Sequence, residues 1–100
     1  MLRRRYRHGR KGRMPKPIWL EVAPPVTSFN PSGPQVKPEP IYLEPAELEV
    51  LRLVDLKGLS QEEAGEKMGV SRGTIWRLLQ SAREKVAKAL TEGRSINFHK

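Results

Sequence analysis

The sequence predicts a mainly α-helical protein with an extended, proline-rich segment ahead of its helices and a few short strands. Two observations support this prediction. Apolar residues recur at helical spacing through residues 45–90, and capping residues stand where the helices should begin. Six prolines lie in residues 18–43 and exclude a long helix there. The 100 residues of the chain suit one small domain.

Residues 1–17 should form a basic arm that is disordered when the protein is free. This segment holds eight of the nineteen Lys and Arg residues and no acid, whereas residues 18–100 hold eleven residues of each sign. Like charges repel, and the glycines and prolines of the segment interrupt any helix. A basic arm on a neutral body indicates a polyanionic partner. Met14 is a second candidate for the start of translation, which would remove most of the arm.

Residues 18–43 should be extended and pack on the helical body. Residues 18–22 alternate like a short strand, and residues 41–43 are a second candidate, with a strong turn signal between them. Three aromatic residues are expected to anchor the segment by packing rather than by stacking on bases. They are Trp19, Phe29 and Tyr42.

The first helix should run from Pro45, which suits the first helical position, to Lys57, with Gly58 as its end. Its apolar residues cover more than one stripe of the surface. They are Leu48, Val50, Leu51, Leu53, Val54 and Leu56. Such a helix needs cover on more than one side, from the N-terminal segment or from a second subunit.

Residues 60–80 should form two helices joined by a tight turn. Ser60 and Glu63 make a capping box at the start of the second helix, and Gly69 suits its end. Ser71 should cap the third helix. Two helices separated by a short turn that contains Gly follow the helix-turn-helix plan, whose second helix enters the major groove of DNA. The expected core-facing residues of this pair are Ala64, Met68, Ile75, Leu78, Leu79 and Ala82, and the same apolar spacing continues through Val86, Ala89 and Leu90.

The helical domain should cover residues 44–93, because Gly93 suits the end of the third helix. Residues 94–100 should form a tail or add a short strand against the N-terminal segment. Acids predominate in residues 39–66 and bases in residues 71–90, so the third helix should present a positive face toward phosphates.

Composition argues against several classes of function. The chain has no cysteine, only two histidines that lie near its ends, and no glycine-rich phosphate loop. We therefore expect no catalysis, no metal and no cofactor. No apolar run approaches the roughly 18 residues that a membrane span needs. The resulting expectation is a cytoplasmic, nucleoid-associated protein.

Residues 43–90 resemble region 4 of bacterial sigma factors, which reads promoters. The stretches that carry this resemblance are Val50-Leu51-Arg52-Leu53, Gly58-Leu59-Ser60-Gln61-Glu62-Glu63-Ala64, Met68-Gly69-Val70-Ser71-Arg72-Gly73-Thr74 and Ala82-Arg83-Glu84-Lys85. With Trp19, Pro24-Pro25-Val26-Thr27 and Phe29 upstream, the chain resembles domain-of-unknown-function family 134, small proteins predicted to bind DNA. The resemblance implies a winged-helix-like fold and DNA binding without a target. Many members carry N-terminal cysteines, which this chain lacks, so a metal-sensing role has no support here.

The expected function is sequence-specific binding of double-stranded DNA in transcription regulation, with residues 71–90 in the major groove. The expected contacts of the helix pair are Ser71, Arg72, Gly73, Trp76, Arg77, Gln80, Gln61 and Arg83. Those of the basic arm, on phosphates or in the minor groove, are Arg3, Arg4, Arg5, Arg7, Arg10, Lys11 and Arg13. Arg72 or Arg77 suits guanine and Gln80 suits adenine.

Several alternatives stay open at this point. Gly73 is explained by a close approach of DNA or by helix packing, and Trp76 by a contact to DNA or by packing against protein. The acidic first helix gives some footing to an adaptor that contacts RNA polymerase or a regulator. RNA binding through the basic arm is a further alternative, and a homodimer is compatible with the broad apolar surface of the first helix.

Overall fold

Helices form most of the regular structure in the described part of the chain. The computed structural model describes residues 17–33 and 39–99, and the backbone of residues 4–7. The helices, in chain order, are α1 (Pro45–Val50), its direct π-helical continuation (Leu51–Leu56), α2 (Gln61–Met68) and α3 (Arg72–Glu92). The mainly helical class predicted from the sequence is confirmed.

Helices α2 and α3 begin at the predicted capping residues. Ser60 Oγ accepts the backbone N–H of Glu63 at 3.1 Å, and Glu63 Oε1 accepts the N–H of Ser60 at 2.9 Å. Ser71 Oγ accepts the N–H of Thr74 at 3.1 Å. These bonds satisfy amide groups that no carbonyl of the same helix can reach. The predicted capping box and the second cap are confirmed.

The second half of the first helix is wider than the sequence predicts. Lys57 N donates to the Arg52 carbonyl, five residues earlier, at 2.9 Å, which is the π-helical bonding pattern. Each residue of a wider turn rotates through a smaller angle, so Leu56 does not return to the face that holds Leu53. Leu53 is 1% exposed and Leu56 is 77% exposed. The apolar surface of this helix is therefore only partly covered.

Short strands lie before and after the helices. In the described parts of the chain they are β1 (Arg4–Arg7), β2 (Pro17–Leu20), β3 (Ser28–Phe29), β4 (Ile41–Tyr42) and β5 (Ile96–Asn97). β1 and β2 form an antiparallel pair. β5 lies between β3, to which it is antiparallel, and β4, to which it is parallel. The strands predicted near residues 18 and 41 are confirmed, and of the two alternatives for residues 94–100, a tail or a short strand, the structure has the strand.

Strand β1 lies within residues 1–17, the segment that the sequence predicts to be disordered when the protein is free. Its four residues align with β2, with Arg4 opposite Leu20 and Arg7 opposite Pro17. Backbone pairing with a neighbouring strand supplies hydrogen bonds that do not depend on the net charge of the segment. The remainder of the arm, residues 1–3 and 8–16, lies outside the described residues.

The N-terminal segment supplies part of the core. Ile18 and Leu20 on β2 are buried in the same cluster as the helices, and so is Phe98 near the C-terminus. β2 packs against both α1 and α2. The other buried members of the cluster are Leu43, Ala46, Val50, Leu53, Ala64, Met68, Ile75, Leu78, Leu79 and Ala82. Residues before and after the predicted helical domain therefore complete its core.

Helix α3 buries the face that its apolar spacing predicts, except at its last turn. Ala89 is buried, whereas the next residue, Leu90, is exposed. Adjacent helical residues differ by about 100° in direction, so a narrow contact covers only one of them. Gly93, with φ of +65°, ends the helix as expected. Within the described part of the chain, no helix has the length and apolar character needed to cross a lipid bilayer.

The three expected aromatic anchors differ in their burial. Trp19 and Tyr42 are half-buried. Phe29 is exposed and meets the buried ring of Phe98 edge-on, with 6.1 Å between the ring centroids. Phe98 occupies the core position at this end of the molecule, so Phe29 holds the segment through this ring contact and through the pairing of β3 with β5.

Candidate nucleic-acid interface

The outer face of α3 near its N-terminus gathers most of the predicted contact residues. The exposed ones are Ser71, Arg72, Gly73, Trp76, Arg77 and Gln80. Ile75, Leu78 and Leu79 lie on the opposite side, in the core. The helical repeat thus separates a buried side from an exposed side along the beginning of α3. Gln61, at the start of α2, is half-buried.

Hydrogen bonds at the start of α3 connect Ser71, Thr74 and Arg77. Ser71 Oγ lies 3.0 Å from Thr74 Oγ1, and the Arg77 guanidinium donates to Thr74 Oγ1 at 3.3 Å. Thr74 is not among the predicted site residues, although its spacing of three from each neighbour places it on their face. Among the described residues, no carboxylate lies within ion-pair distance of Arg77.

Arg72 and Gly73 are open to solvent. Arg72 lies 3.9 Å from Glu62, and since both side chains are exposed, this pair is weak. A Cβ added to Gly73 would meet only Ser71 Oγ, at 3.9 Å. Packing against the described residues therefore does not account for this glycine.

Trp76 lies on the same outer face. Its exposed fraction is 53%, which is large for an indole in a small domain. The indole is therefore accessible to a partner molecule, on the same helix as the exposed Arg72 and Arg77.

Arg83 differs from these exposed residues because its side chain forms an ion pair with Asp55. The Arg83 guanidinium donates through Nε and Nη2 to the two Asp55 carboxylate oxygens, at 3.1 and 2.7 Å. Hydrogen bonds from Arg83 hold the pKa of Asp55 below its usual range, and the same bonds raise the pKa of Arg83. A guanidinium in such a fork has fewer donors left for a phosphate, so Arg83 is less suited to the interface than the sequence predicts.

The two acidic residues of α1 are buried, and one of them pairs with a second basic residue of α3. Glu47 is 3% exposed and Glu49 is 2% exposed. Lys85 Nζ donates to Glu47 Oε1 at 2.7 Å, and the Ser81 hydroxyl donates to Glu47 Oε2. The predicted contrast between an acidic first helix and a basic third helix is thus partly neutralised by pairing between the two. The free positive charge of α3 is concentrated at fewer positions.

The turn between α2 and α3 is packed closely on both sides. A Cβ on Gly65 would lie 2.7 Å from the Val70 carbonyl oxygen. A Cβ on Gly69 would lie 2.7 Å from Cδ1 of Trp19, and Gly69 has φ of +69°. The two glycines let the turn fold back on α2 while the indole rests against it.

A charged cluster joins β2 to two helices, and sequence patterns did not predict it. Glu21 accepts hydrogen bonds from Arg52 at 2.9 Å and from Lys67 at 3.3 Å. Its own N–H donates to Glu49 Oε2 at 2.9 Å, and Arg52 Nε donates to Glu49 Oε1 at 2.7 Å. Burial alone would raise the pKa of Glu21, but the bonds and charges of Arg52 and Lys67 hold it below its usual range. Separations of 28 to 46 residues leave no local signal for these contacts.

The predicted arm residues divide into two groups. Arg4, Arg5 and Arg7 belong to strand β1. Arg3, Arg10, Lys11 and Arg13 lie outside the described residues. Over the part of the chain that the structure describes, no group of three or more His, Cys, Asp or Glu side chains is arranged to hold a metal ion.

Comparison with known proteins relates the whole chain to one family. A relative from Pyrococcus furiosus, named a UPF0251 protein, is 53% identical over 88 residues, which are 86% of this chain and 82% of the relative. A UPF0251 protein of Thermococcus kodakarensis is 58% identical over 76 residues, 73% of this chain and 66% of the relative.

A UPF0251 protein of Thermoanaerobacter pseudethanolicus is 48% identical over 85 residues, 84% of this chain and 72% of the relative. No solved structure matches the chain. The family described as "Protein of unknown function DUF134" matches residues 2–99, and the chain therefore belongs to that family.

Proposed function

We propose that this protein binds double-stranded DNA in a sequence-specific manner and takes part in transcription regulation. The observation that carries the proposal is the uncovered face at the beginning of α3. Arg72, Trp76, Arg77 and Gln80 are exposed there, while the opposite side of the same turns is held in the core. A helix so fixed can enter the major groove without rearrangement of the fold.

The arrangement of α2 and α3 supports this proposal. The two helices are separated by residues 69–71 only, and the turn is closed by glycine packing and by the Ser71 cap. In helix-turn-helix proteins, residues near the start of the second helix contact base edges and the first helix crosses the backbone. The exposed residues of α3 occupy the corresponding positions.

Individual roles follow from the side-chain chemistry. Arg77 can donate two bonds to the O6 and N7 atoms of guanine, and Gln80, three residues further along the same face, can pair with adenine. Ser71 and the first amides of α3 suit a phosphate, because a helix N-terminus carries partial positive charge. Gly73 lets the phosphate backbone approach the helix closely.

Selection of bound sequences from random duplex DNA tests the proposal. We expect an enriched motif, and a palindromic one would indicate two protein copies on paired half-sites. Arg77→Ala should weaken binding to the selected duplex by about 1–3 kcal/mol, roughly 5- to 150-fold. Binding to a scrambled duplex should fall much less, since phosphate contacts carry no sequence information.

Lys88→Ala is the matched control. Lys88 is an exposed base further along α3, and among the described residues it forms no ion pair. Removing it takes away the same charge, so we expect a small and equal reduction of affinity on both duplexes. Absence of any enriched motif, or equal effects of the two substitutions, would contradict sequence-specific reading by α3.

The adaptor alternative receives less support. An adaptor would need an acidic surface on the first helix and its continuation, made by Glu47, Glu49 and Asp55. Glu47 and Glu49 are buried, and Asp55 is paired with Arg83. A pull-down with RNA polymerase in the absence of DNA tests this alternative. Competition by structured RNA in the duplex-binding assay tests whether the protein binds RNA instead.

A further inference from the structure

Strand β2 is fixed directly to the turn that precedes α3. The indole of Trp19 lies so close to Gly69 that an added Cβ would stand 2.7 Å from Cδ1 and 3.2 Å from Nε1. Its strand neighbours Ile18 and Leu20 are both buried in the core. β2 is therefore held on either side of Trp19, and the tryptophan connects it to the turn.

Charged contacts hold the end of β2 from the other side. Glu21, which follows the strand, is bonded to Arg52 on the first helix and to Lys67 on α2. The Glu21 side chain is 8% exposed. Moving β2 relative to the helices would leave this nearly buried carboxylate without its partners, which is strongly unfavourable. The strand thus has one position with respect to the helix pair.

Strand β1 takes its position from β2. The two strands align over four residues, with Arg5 opposite Trp19. Neighbouring strands lie about 4.8 Å apart, so the β1 backbone lies one strand spacing from the strand whose Trp19 contacts the turn before α3. Three of its four residues are arginines. Residues 18–100 carry equal numbers of acids and bases, so the positive excess of the molecule lies in the segment that contains this strand.

We infer that β1 is a second DNA contact with a fixed position: its pairing with β2 holds the backbone of this arginine-rich strand next to the phosphates that flank the bases read by α3. This inference rests on the proposed function. It differs from a tethered arm, whose charges would find phosphates at many positions. A strand whose backbone is already positioned loses less conformational freedom on binding than a flexible tail, so the charges it carries bind more tightly. The spacing between β1 and α3 then also restricts which phosphates are used.

Two substitutions at Tyr6 separate a fixed strand from a tethered arm. Tyr6→Pro fixes φ near −65°, far from the value of an antiparallel strand, which disfavours pairing with β2 while every arginine is retained. Tyr6→Phe keeps both the strand and the charge and serves as the control. We expect Tyr6→Pro to weaken duplex binding by about tenfold and to flatten log K against log salt by about 0.9 for each phosphate that is no longer neutralised. NMR signals between β1 and β2 report whether the strands still pair.

A cycle of substitutions gives an independent test. Trp19→Ala removes the connection to the turn, and the triple change Arg4→Gln, Arg5→Gln and Arg7→Gln removes the charge. If β1 acts through Trp19, the two reductions of affinity should not add. Full additivity would overturn the inference, as would unchanged affinity of the triple variant, or unchanged affinity of Tyr6→Pro with its strand unpaired. If Arg77→Ala still weakens binding in those cases, the proposed function stands without this inference; if the wild type binds no duplex, both fail.

Discussion

Gly69 shows how one residue connects three parts of the molecule. It ends α2 in the left-handed conformation, begins the turn to α3 and provides the surface on which Trp19 rests. The sequence predicts the first of these roles because Gly after Met68 suits a helix end. It gives no sign of the third, because Trp19 lies fifty residues earlier in the chain.

Substitution of Gly69 by alanine tests its role as the end of α2 and its contact with Trp19 together. The left-handed conformation costs an L-residue about 1–2 kcal/mol, and the new methyl group would also collide with the Trp19 ring. We expect a larger reduction in the free energy of unfolding than for Gly93→Ala. Gly93 has φ of +65° but nothing within 4 Å of an added Cβ, so it isolates the backbone contribution. Urea denaturation of both variants measures the difference, and equal reductions would show that the Trp19 ring yields without cost.

At the scale of elements, α3 is built with one covered and one uncovered side, but its charges are less uniform than its sequence indicates. Arg83 and Lys85 turn toward acids of the first helix, whereas Arg72 and Arg77 remain exposed. Local spacing predicts which residues face outward, because the helical repeat is fixed. Which bases meet acids depends on how α1 crosses α3, and the chain between them gives no local sign of it.

The cluster around Glu21 should make part of the stability of the protein depend on pH. The folded-state pKa of Glu21 lies below its ordinary value of 4.5. Its ionised form therefore contributes stability that is present above about pH 4.5 and is lost as the pH falls through the folded value. Glu21→Gln should be less stable than wild type at neutral pH and should lose less stability as the pH falls below about 4.5. Urea unfolding at a series of pH values measures this.

Glu84→Gln is the control for that series. Glu84 is an exposed acid on α3 and forms no ion pair among the described residues. We expect it to keep the acid dependence of the wild type. Parallel curves for Glu21→Gln and wild type would show that the Arg52 and Lys67 bonds do not couple this carboxyl to folding.

At the scale of the whole molecule, segments from both ends of the chain complete one core, whereas the net positive charge is carried by residues 1–17 alone. Ile18, Leu20 and Phe98 join the helices in a single cluster. The net charge of +8 comes from residues 1–17, since the rest of the chain is balanced. The molecule therefore combines a neutral body that presents α3 with a basic N-terminal region joined to it through β2.

Deletion of residues 1–13 should separate attraction from selectivity. The deletion removes seven Lys and Arg residues together with β1. We expect weaker binding to both selected and scrambled duplexes and a shallower dependence of log K on log salt, by about 0.9 for each phosphate that the deleted residues neutralise. The preference for the selected duplex should remain largely intact, because α3 is retained. A salt dependence identical to that of the full chain would contradict a role for this region in phosphate binding.

The sequence by itself determined the helices of this protein, their caps and the outward face of α3. Ser60, Ser71 and Gly93 act through atoms within four residues, so their patterns are sufficient. Only the tertiary structure decided the π-helical turn that turns Leu56 outward, the pairing of Arg83 with Asp55, and the pairing of β1 with β2. The two pairings join residues 10 to 28 positions apart, and a local pattern carries no information about which distant groups will meet. The wider turn of residues 51–56 has no signal in the spacing of its apolar residues.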